Sequence, residues 1–257
     1  MDVVIYILWC NEERRQFIET QLEKFALSFR VVYFKASTPD DSADYLIRDD
    51  PVPPKLQCCF RSHIRALHHF VHNDVEKHLL VLEDDVCLLR DNFVARLFET
   101  IDTYEKNPGI DYVTIGYLPA TLSGLPLHTK TNMLRQDGGL YFDFSRADFT
   151  IWGSQAQLFS REVAKRMCEL LHHSSGETIM EHVRRYTGKT YQNKQKHLMV
   201  DALLPLLFSQ AIVCPPLVVE NNAPSTIHGG DSWVSRNESW LKAEAAGMFR
   251  LSDYYGW

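Results

Sequence analysis

Apolar residues come in short unbroken runs along much of the chain. These runs alternate with stretches in which apolar positions recur every three or four residues. Val3 to Trp9 is such a run, rich in β-branched residues, and predicts a buried strand. In Glu12 to Leu27, Phe17, Ile18, Leu22, Phe25 and Ala26 share one face, which predicts a helix. Val31 to Phe34 predicts a second strand. Phe60, Ile64, Leu67 and Val71 mark one stripe of a helix over Gln57 to His72. Leu79 to Leu82 predicts a third strand, Phe93 to Tyr104 a helix, and Tyr112 to Ile115 a further strand. Thr150 to Phe159 follows as a strand. Arg161 to Leu171 follows as a helix capped by Ser160, and Asp201 opens a short apolar helix to Phe208. "IVCPPLVVE" supplies late strand material.

Strands alternating with helices predict an α/β domain with a mostly parallel central sheet flanked by helices. Residues 37 to 56 break the rhythm: they are polar and hold four prolines, which predicts a long functional loop. Residues 116 to 139 are irregular. "YTGKTYQNKQKHL" is a basic stretch that reads either as a phosphate-covering lid over Lys189 to Lys196 or as a solvated loop. No internal repeat appears, so the chain reads as one domain over 1–257. Its halves are 1–115 and 116–257.

Composition narrows the classes. The 257 residues are 45% hydrophobic and 23% charged, ordinary for a globular domain. A net charge of −6 argues against a nucleic-acid binder, which would carry a basic face. The six cysteines form no CxxC pair and stand mostly among apolar neighbours, which suggests a reducing compartment and no structural zinc. "MDVVIYILWC" lacks a basic leader region, and no run is long enough to span a bilayer, so the expected location is cytoplasmic.

One junction breaks the apolar logic. In "HLLVLEDDVCLL" three carboxylates, Glu83, Asp84 and Asp85, stand between two segments that belong in a core. Burying unpaired carboxylates is costly, so a positive charge should meet them. If Leu79 to Leu82 is a central parallel strand, the acids sit at its carboxyl end, where open α/β sheets bind ligands. Paired carboxylates there suit a hard cation, Mn²⁺ or Mg²⁺, with positions left for phosphate oxygens. The plainer reading is a solvated acidic turn.

"CCFRSHIRALHHF" followed by "LLVLEDDVCLLRDNF" resembles the family 25 glycosyltransferases, which include lipopolysaccharide and procollagen galactosyltransferases. "VVIYILWCNEERRQFIETQL", "RVVYFKAST", "GSQAQLFSREVAKRM" and "IVCPPLVVENNAPSTI" resemble further parts of that family in order. The opening "CNEERR" and Glu220, where Gln is usual, depart from its pattern. The resemblance implies a GT-A-type nucleotide-sugar-binding fold and an inverting transfer of galactose, glucose or xylose. The donor would be a UDP-sugar, bound by the half 1–115, and the acceptor a glycan or glycoconjugate hydroxyl, bound by the half 116–257 with its C-terminal tail. It places Leu8, Asn11, Arg14, Ala36, Ser62, His63 and Asp84 around the nucleotide sugar, with Asp84 turned toward the ribose. Glu83 and Asp85 form the metal pair, although Glu83 also suits pairing with a basic residue. His228 looks like a third ligand or a plain loop histidine.

An inverting transfer needs a base for the acceptor hydroxyl. Asp201 is the candidate, with Asp148 and Asp231 in reserve; its plainer role is a helix cap. Arg61 and Arg65 either neutralise the acids or are solvated. Two rival classes remain. A metal-dependent nucleotidyltransferase would want a Gly-rich phosphate loop, and "WCNEERR" has no glycine. A non-catalytic carbohydrate- or protein-binding domain on a degenerate GT-A scaffold would bind without turnover.

Overall fold

The structure is a computed structural model. It describes residues 2–25, 29–42, 46, 53–117, 140–142, 153–171, 179, 181, 185, 200–213, 215–221, 240–241, 243–245 and 250–255. A seven-stranded sheet forms the centre, in the order β2-β1-β3-β7-β5-β8-β6. The strands are β1 (Val3–Trp9), β2 (Arg30–Lys35), β3 (His78–Glu83), β5 (Tyr112–Gly116), β6 (Leu140–Phe142), β7 (Ala156–Ser160) and β8 (Gln210–Val213). β1 runs parallel to β2 and to β3, and β5 parallel to β8. β7 is inserted antiparallel between β3 and β5, and β6 lies antiparallel on β8. Most strands therefore point one way, as the alternation predicts, and β7 is reversed in their midst. A second, two-stranded sheet joins β4 (Val86–Leu88) to β9 (Val218–Glu220).

Helices cover both faces. On one face α2 (Pro54–Asn73), α4 (Arg161–Leu171) and α5 (Val200–Leu207) bury Phe60, Ile64, Leu67, Phe70, Met167 and Leu204 against Val4, Leu79, Val81 and Phe159. On the other, α1 (Glu12–Glu23) and α3 (Phe93–Glu105) pack Ile18, Leu22 and Leu97 against Ile5, Ile7, Leu80, Leu82 and Leu158. The strands buried on both sides are the ones that read as unbroken apolar runs. Arg161, the first residue of α4, donates to the carbonyls of Phe70, Val71 and Glu76 and so satisfies the end of α2.

Most elements lie within a residue or two of their expected limits, and the departures have physical causes. α2 begins at Pro54, three residues before the expected start at Gln57. Proline suits the first turn because its missing N–H would have no partner there. α1 stops at Glu23, and Phe25 turns inward to pack on Phe93 and Tyr255. The strand expected from Thr150 starts at Ala156; residues 150–152 lie outside the described residues. Two short strands escape the sequence pattern, β4 and β6, each of three residues and too brief to show alternation, whereas β9 falls in the late strand material expected in "IVCPPLVVE". β4 is anchored by Gln21, a buried side chain whose amide donates to the Val86 carbonyl and accepts from Leu88 N–H.

Gly116 ends β5 where the small sheet crosses the large one. A Cβ there would lie 3.0 Å from both the Cβ and the carbonyl oxygen of Val218, and 3.2 Å from Ala156 Cβ. The absent side chain lets β9 approach. No helix among the described residues is long and apolar enough to cross a membrane.

Candidate functional site

Parallel pairing brings the ends of β1, β2 and β3 to one edge of the sheet. The reversed β7 brings its start, Gly153 to Gln155, to the same edge, where Glu83 N–H donates to the Gln155 carbonyl. The three acids sit there, Asp84 and Asp85 sharing Arg14 and Glu83 turned to other partners.

Asp84 is buried and faces the opening loop. Its Oδ2 accepts from Cys10 N–H at 2.7 Å, and its Oδ1 lies 3.5 Å from Arg14 Nη1. The loop after β1 is thus tied to the end of β3. Asn11 caps α1, its Oδ1 accepting from Arg14 N–H at 2.9 Å, which starts the helix at the point that aims Arg14 back at the acids. Arg14 also donates to Asp85 Oδ2 at 3.0 Å.

Asp85 is the exceptional group. Its Oδ1 is buried and has no hydrogen-bond partner. Burial raises its pKa to about 8, and the charges of Glu83, Glu220 and Asp84 push the same way against Arg14. Glu220 comes from β9: it pairs with Val86, while the Asp85 carbonyl accepts from Asn221 N–H at 2.7 Å. An arrangement with this much negative charge and one unsatisfied oxygen suits a hard cation. The donors present, carboxylates beside a crevice, fit Mn²⁺ or Mg²⁺.

Glu83 points to the α2 face. Its Oε1 accepts from Ser154 Oγ at 2.6 Å, lies 3.2 Å from His63 Nε2, and is 3.8 Å from Cys59 Sγ. Cys59, His63 and Glu83 present ligand atoms that all lie within 4.8 Å of one another. Burial raises the Cys59 thiol well above its ordinary range, and the charges of Glu83, Asp201 and Asp85 add to this.

Asp201 lies in the first turn of α5, inside the helix and not at its cap. Its Oδ2 accepts from Gly153 N–H at 3.2 Å. Burial raises its pKa to about 6. The Gly153 bond and the nearby His63 act against that shift, and the charge of Glu83 acts with it. A carboxylate whose pKa is raised toward neutrality can accept a proton near neutral pH.

Other predicted residues have structural partners. Ser62 is buried, donating to the Cys58 carbonyl and accepting from Ser37 N–H at 2.8 Å each, so it tethers α2 to the end of β2. Arg65 donates to Ser37 Oγ and lies over the Phe34 ring, away from the acids. Leu8 packs in the α2-side core, and Ala36 N–H donates to the Trp9 carbonyl at the crevice rim. His228, Asp148, Asp231 and the stretch Lys189 to Lys196 lie outside the described residues. Sequence reasoning missed Ser154, Gly153 and Cys59, and it noted Glu220 only as a departure. The Cys59–His63 spacing of one helical turn was the available signal.

No protein-family model and no curated protein matches the chain. Solved structures that resemble it do so weakly. The galactosyltransferase LgtC with donor and acceptor sugar analogues is 11% identical, with a TM-score of 0.46, over 92% of this chain and 95% of that one. A glycosyltransferase involved in glycosylation of the PBCV-1 major capsid is 13% identical, with a TM-score of 0.42, over 93% and 99%. Mannose-1-phosphate geranyltransferase from Thermus thermophilus is 13% identical, with a TM-score of 0.42, over 83% and 74%.

Proposed function

We propose that this chain is a metal-dependent inverting glycosyltransferase that moves a hexose or pentose from a UDP-sugar to a hydroxyl of a glycan or glycoconjugate. The observation that carries the reading is Asp85, a partly buried carboxylate at the end of a central strand, whose buried Oδ1 is unpartnered and which has further acids around it. The resemblance of the Ser62-His63 and Glu83-Asp84-Asp85 segments to family 25 glycosyltransferases supports the same reading.

Asp85 holds the cation, Mn²⁺ or Mg²⁺, and the charges of Glu83 and Glu220 deepen the well. Once bound, the ion offsets the negative charge that the leaving diphosphate gains. Arg14, held by Asp84 and Asp85, stands where it also reaches phosphate oxygens. Asp84 keeps the loop after β1 closed on the site, so Asn11 and Ala36 form the rim against the nucleoside.

Asp201 accepts the proton of the acceptor hydroxyl. That oxygen then attacks the anomeric carbon from the face opposite the diphosphate, and the bond from the anomeric carbon to the diphosphate oxygen breaks. UDP leaves with the electron pair, and the configuration inverts. The Gly153 N–H holds Asp201 in place for the transfer.

Calorimetry with UDP tests the assignment. Affinity should fall at least tenfold, about 1.4 kcal/mol, when the metal is chelated. Equal affinity in excess EDTA would remove the cation from the site. Incubation with a panel of nucleotide sugars and Mn²⁺ should release UDP. Release of pyrophosphate from a nucleoside triphosphate and a sugar 1-phosphate would instead show a nucleotidyltransferase.

A further inference from the structure

We propose a second metal site in this chain, formed by Cys59, His63 and Glu83 and selective for a thiophilic divalent ion, Zn²⁺ foremost. It is separate from the cation site at Asp85 and does not depend on the transfer reading. Cys59 and His63 are one turn apart on α2, so their side chains leave the helix on the same face. β3 ends beneath that face and delivers Glu83 between them.

Two of the three ligand separations are close to those an ion needs. Zinc takes thiolate sulfur at about 2.3 Å, imidazole nitrogen at about 2.0–2.1 Å and carboxylate oxygen at about 2.0–2.2 Å, in a tetrahedron. Ligand atoms on such a tetrahedron stand about 3.3–3.7 Å apart. Here the nitrogen-to-oxygen separation is 3.2 Å and the sulfur-to-oxygen separation is 3.8 Å. All three atoms lie within 4.8 Å of one another, within reach of a single ion once the side chains close on it.

The donor set also decides which ion. One sulfur, one nitrogen and one oxygen suit zinc and its neighbours, whereas Mn²⁺ and Mg²⁺ prefer an all-oxygen shell. Three protein ligands leave a fourth position open. His63 Nδ1 is buried without a partner, so no second group orients the ring from behind. Such outer partners are worth roughly 10–100-fold in affinity. The site is therefore weaker than a closed structural zinc centre, and a chelator should empty it without unfolding the chain.

Two consequences follow for the rest of the molecule. An ion there ties α2 to the end of β3. It also engages Glu83 fully, which leaves Asp85 to hold the other cation without it. Positive charge is placed beside Asp201, which lies near enough to Glu83 and His63 to respond to both.

Cobalt(II) titration of the metal-free full chain tests this directly. One equivalent should give a thiolate-to-cobalt charge-transfer band in the near ultraviolet, and Zn²⁺ should displace it. Cys59→Ser should abolish the band and lower Zn²⁺ affinity at least tenfold. Asp85→Asn, which disables the other cation site, should leave both unchanged. The proposal is overturned if the band survives in Cys59→Ser, since another cysteine then binds the ion. It is overturned equally if Asp85→Asn removes the band, since the two sites are then one. Should Cys59→Ser not fold, as judged by circular dichroism, His63→Gln decides the matter. A tenfold loss of Zn²⁺ affinity supports the site, and undiminished affinity overturns it.

Discussion

The two faces of the central sheet are made by the same strands and have opposite character. Toward α1 and α3 the strands present Leu80, Leu82, Val113, Ile115, Ala156 and Leu158, all apolar and buried. Toward α2 and α5 the alternate positions include Glu83, Tyr112, Thr114, Gln155 and Gln157 among the apolar ones. Tyr112 Oη, Gln155 Oε1 and both amide atoms of Gln157 are buried without a hydrogen-bond partner. A buried polar group without a partner costs roughly 1–3 kcal/mol. One face therefore accumulates stability, and the other spends some of it on polar groups near the crevice. Strand period allows this division, because each strand sends successive side chains to opposite sides.

The largest expected effect lies at the crevice. Asp85→Asn keeps the shape and removes the charge, so the protein should fold and lose transfer by roughly 10³-fold, the several kcal/mol a bound cation supplies. Turnover near the wild-type rate would reduce the strand end to a structural turn. Asp201→Asn should lower the transfer rate by roughly 10²–10⁴-fold and leave UDP affinity unchanged. In the unaltered protein kcat should decline as pH falls through about 6, because only ionised Asp201 accepts a proton. That inflection should vanish in the Asn variant. Lost UDP binding would move Asp201 into the donor site.

The contrast between the faces predicts effects of opposite sign on stability. Leu82→Ala on the apolar face should cost about 2–5 kcal/mol in chemical denaturation. Gln157→Leu on the other face should stabilise by about 1 kcal/mol, because an unsatisfied amide gives way to a side chain of similar size. If Gln157→Leu destabilised the chain as Leu82→Ala does, the faces would not differ in the way described.

The smallest effect is one of pH. Asp85 binds its proton more tightly in the folded chain than when unfolded, so its contribution to stability is intact below the ordinary carboxylate range. That contribution is lost as pH rises through about 8. Metal-free protein should consequently be less stable at pH 9 than at pH 6. Asp85→Asn should flatten that slope.

Much of this division was legible in the sequence. The runs at Val3 to Trp9 and Leu79 to Leu82 identify strands buried on both sides, and the charges that interrupt the second run mark the site. The Ser160 cap and the helix after it appear where the spacing predicts, with Ser160 Oγ accepting from Val163 N–H. What escaped is nonlocal. Nothing in residues 153 to 160 says that their strand runs against its neighbours, yet that reversal alone brings Gly153 to Asp201 and Ser154 to Glu83. Glu220 reaches Asp85 only through the pairing of two three-residue strands distant in sequence. Ser62 and His63 look like one functional pair in sequence. On the helix they diverge, Ser62 toward Ser37 and His63 toward Glu83.

Gly116 gives this architecture a remote adjustment screw. It touches no charged or reacting group, yet the missing methyl sets how closely β9 lies on β5. β9 carries Glu220, and Asn221 immediately after it grips the Asp85 carbonyl. The Val218 contact is partly backbone, which cannot swing aside as a side chain tip can. Alanine at 116 would thus act as a shim between the sheets, and the few tenths of an ångström it inserts would be passed along the strand to the acids. Selection at this position would act on the spacing of charges that the residue itself never meets.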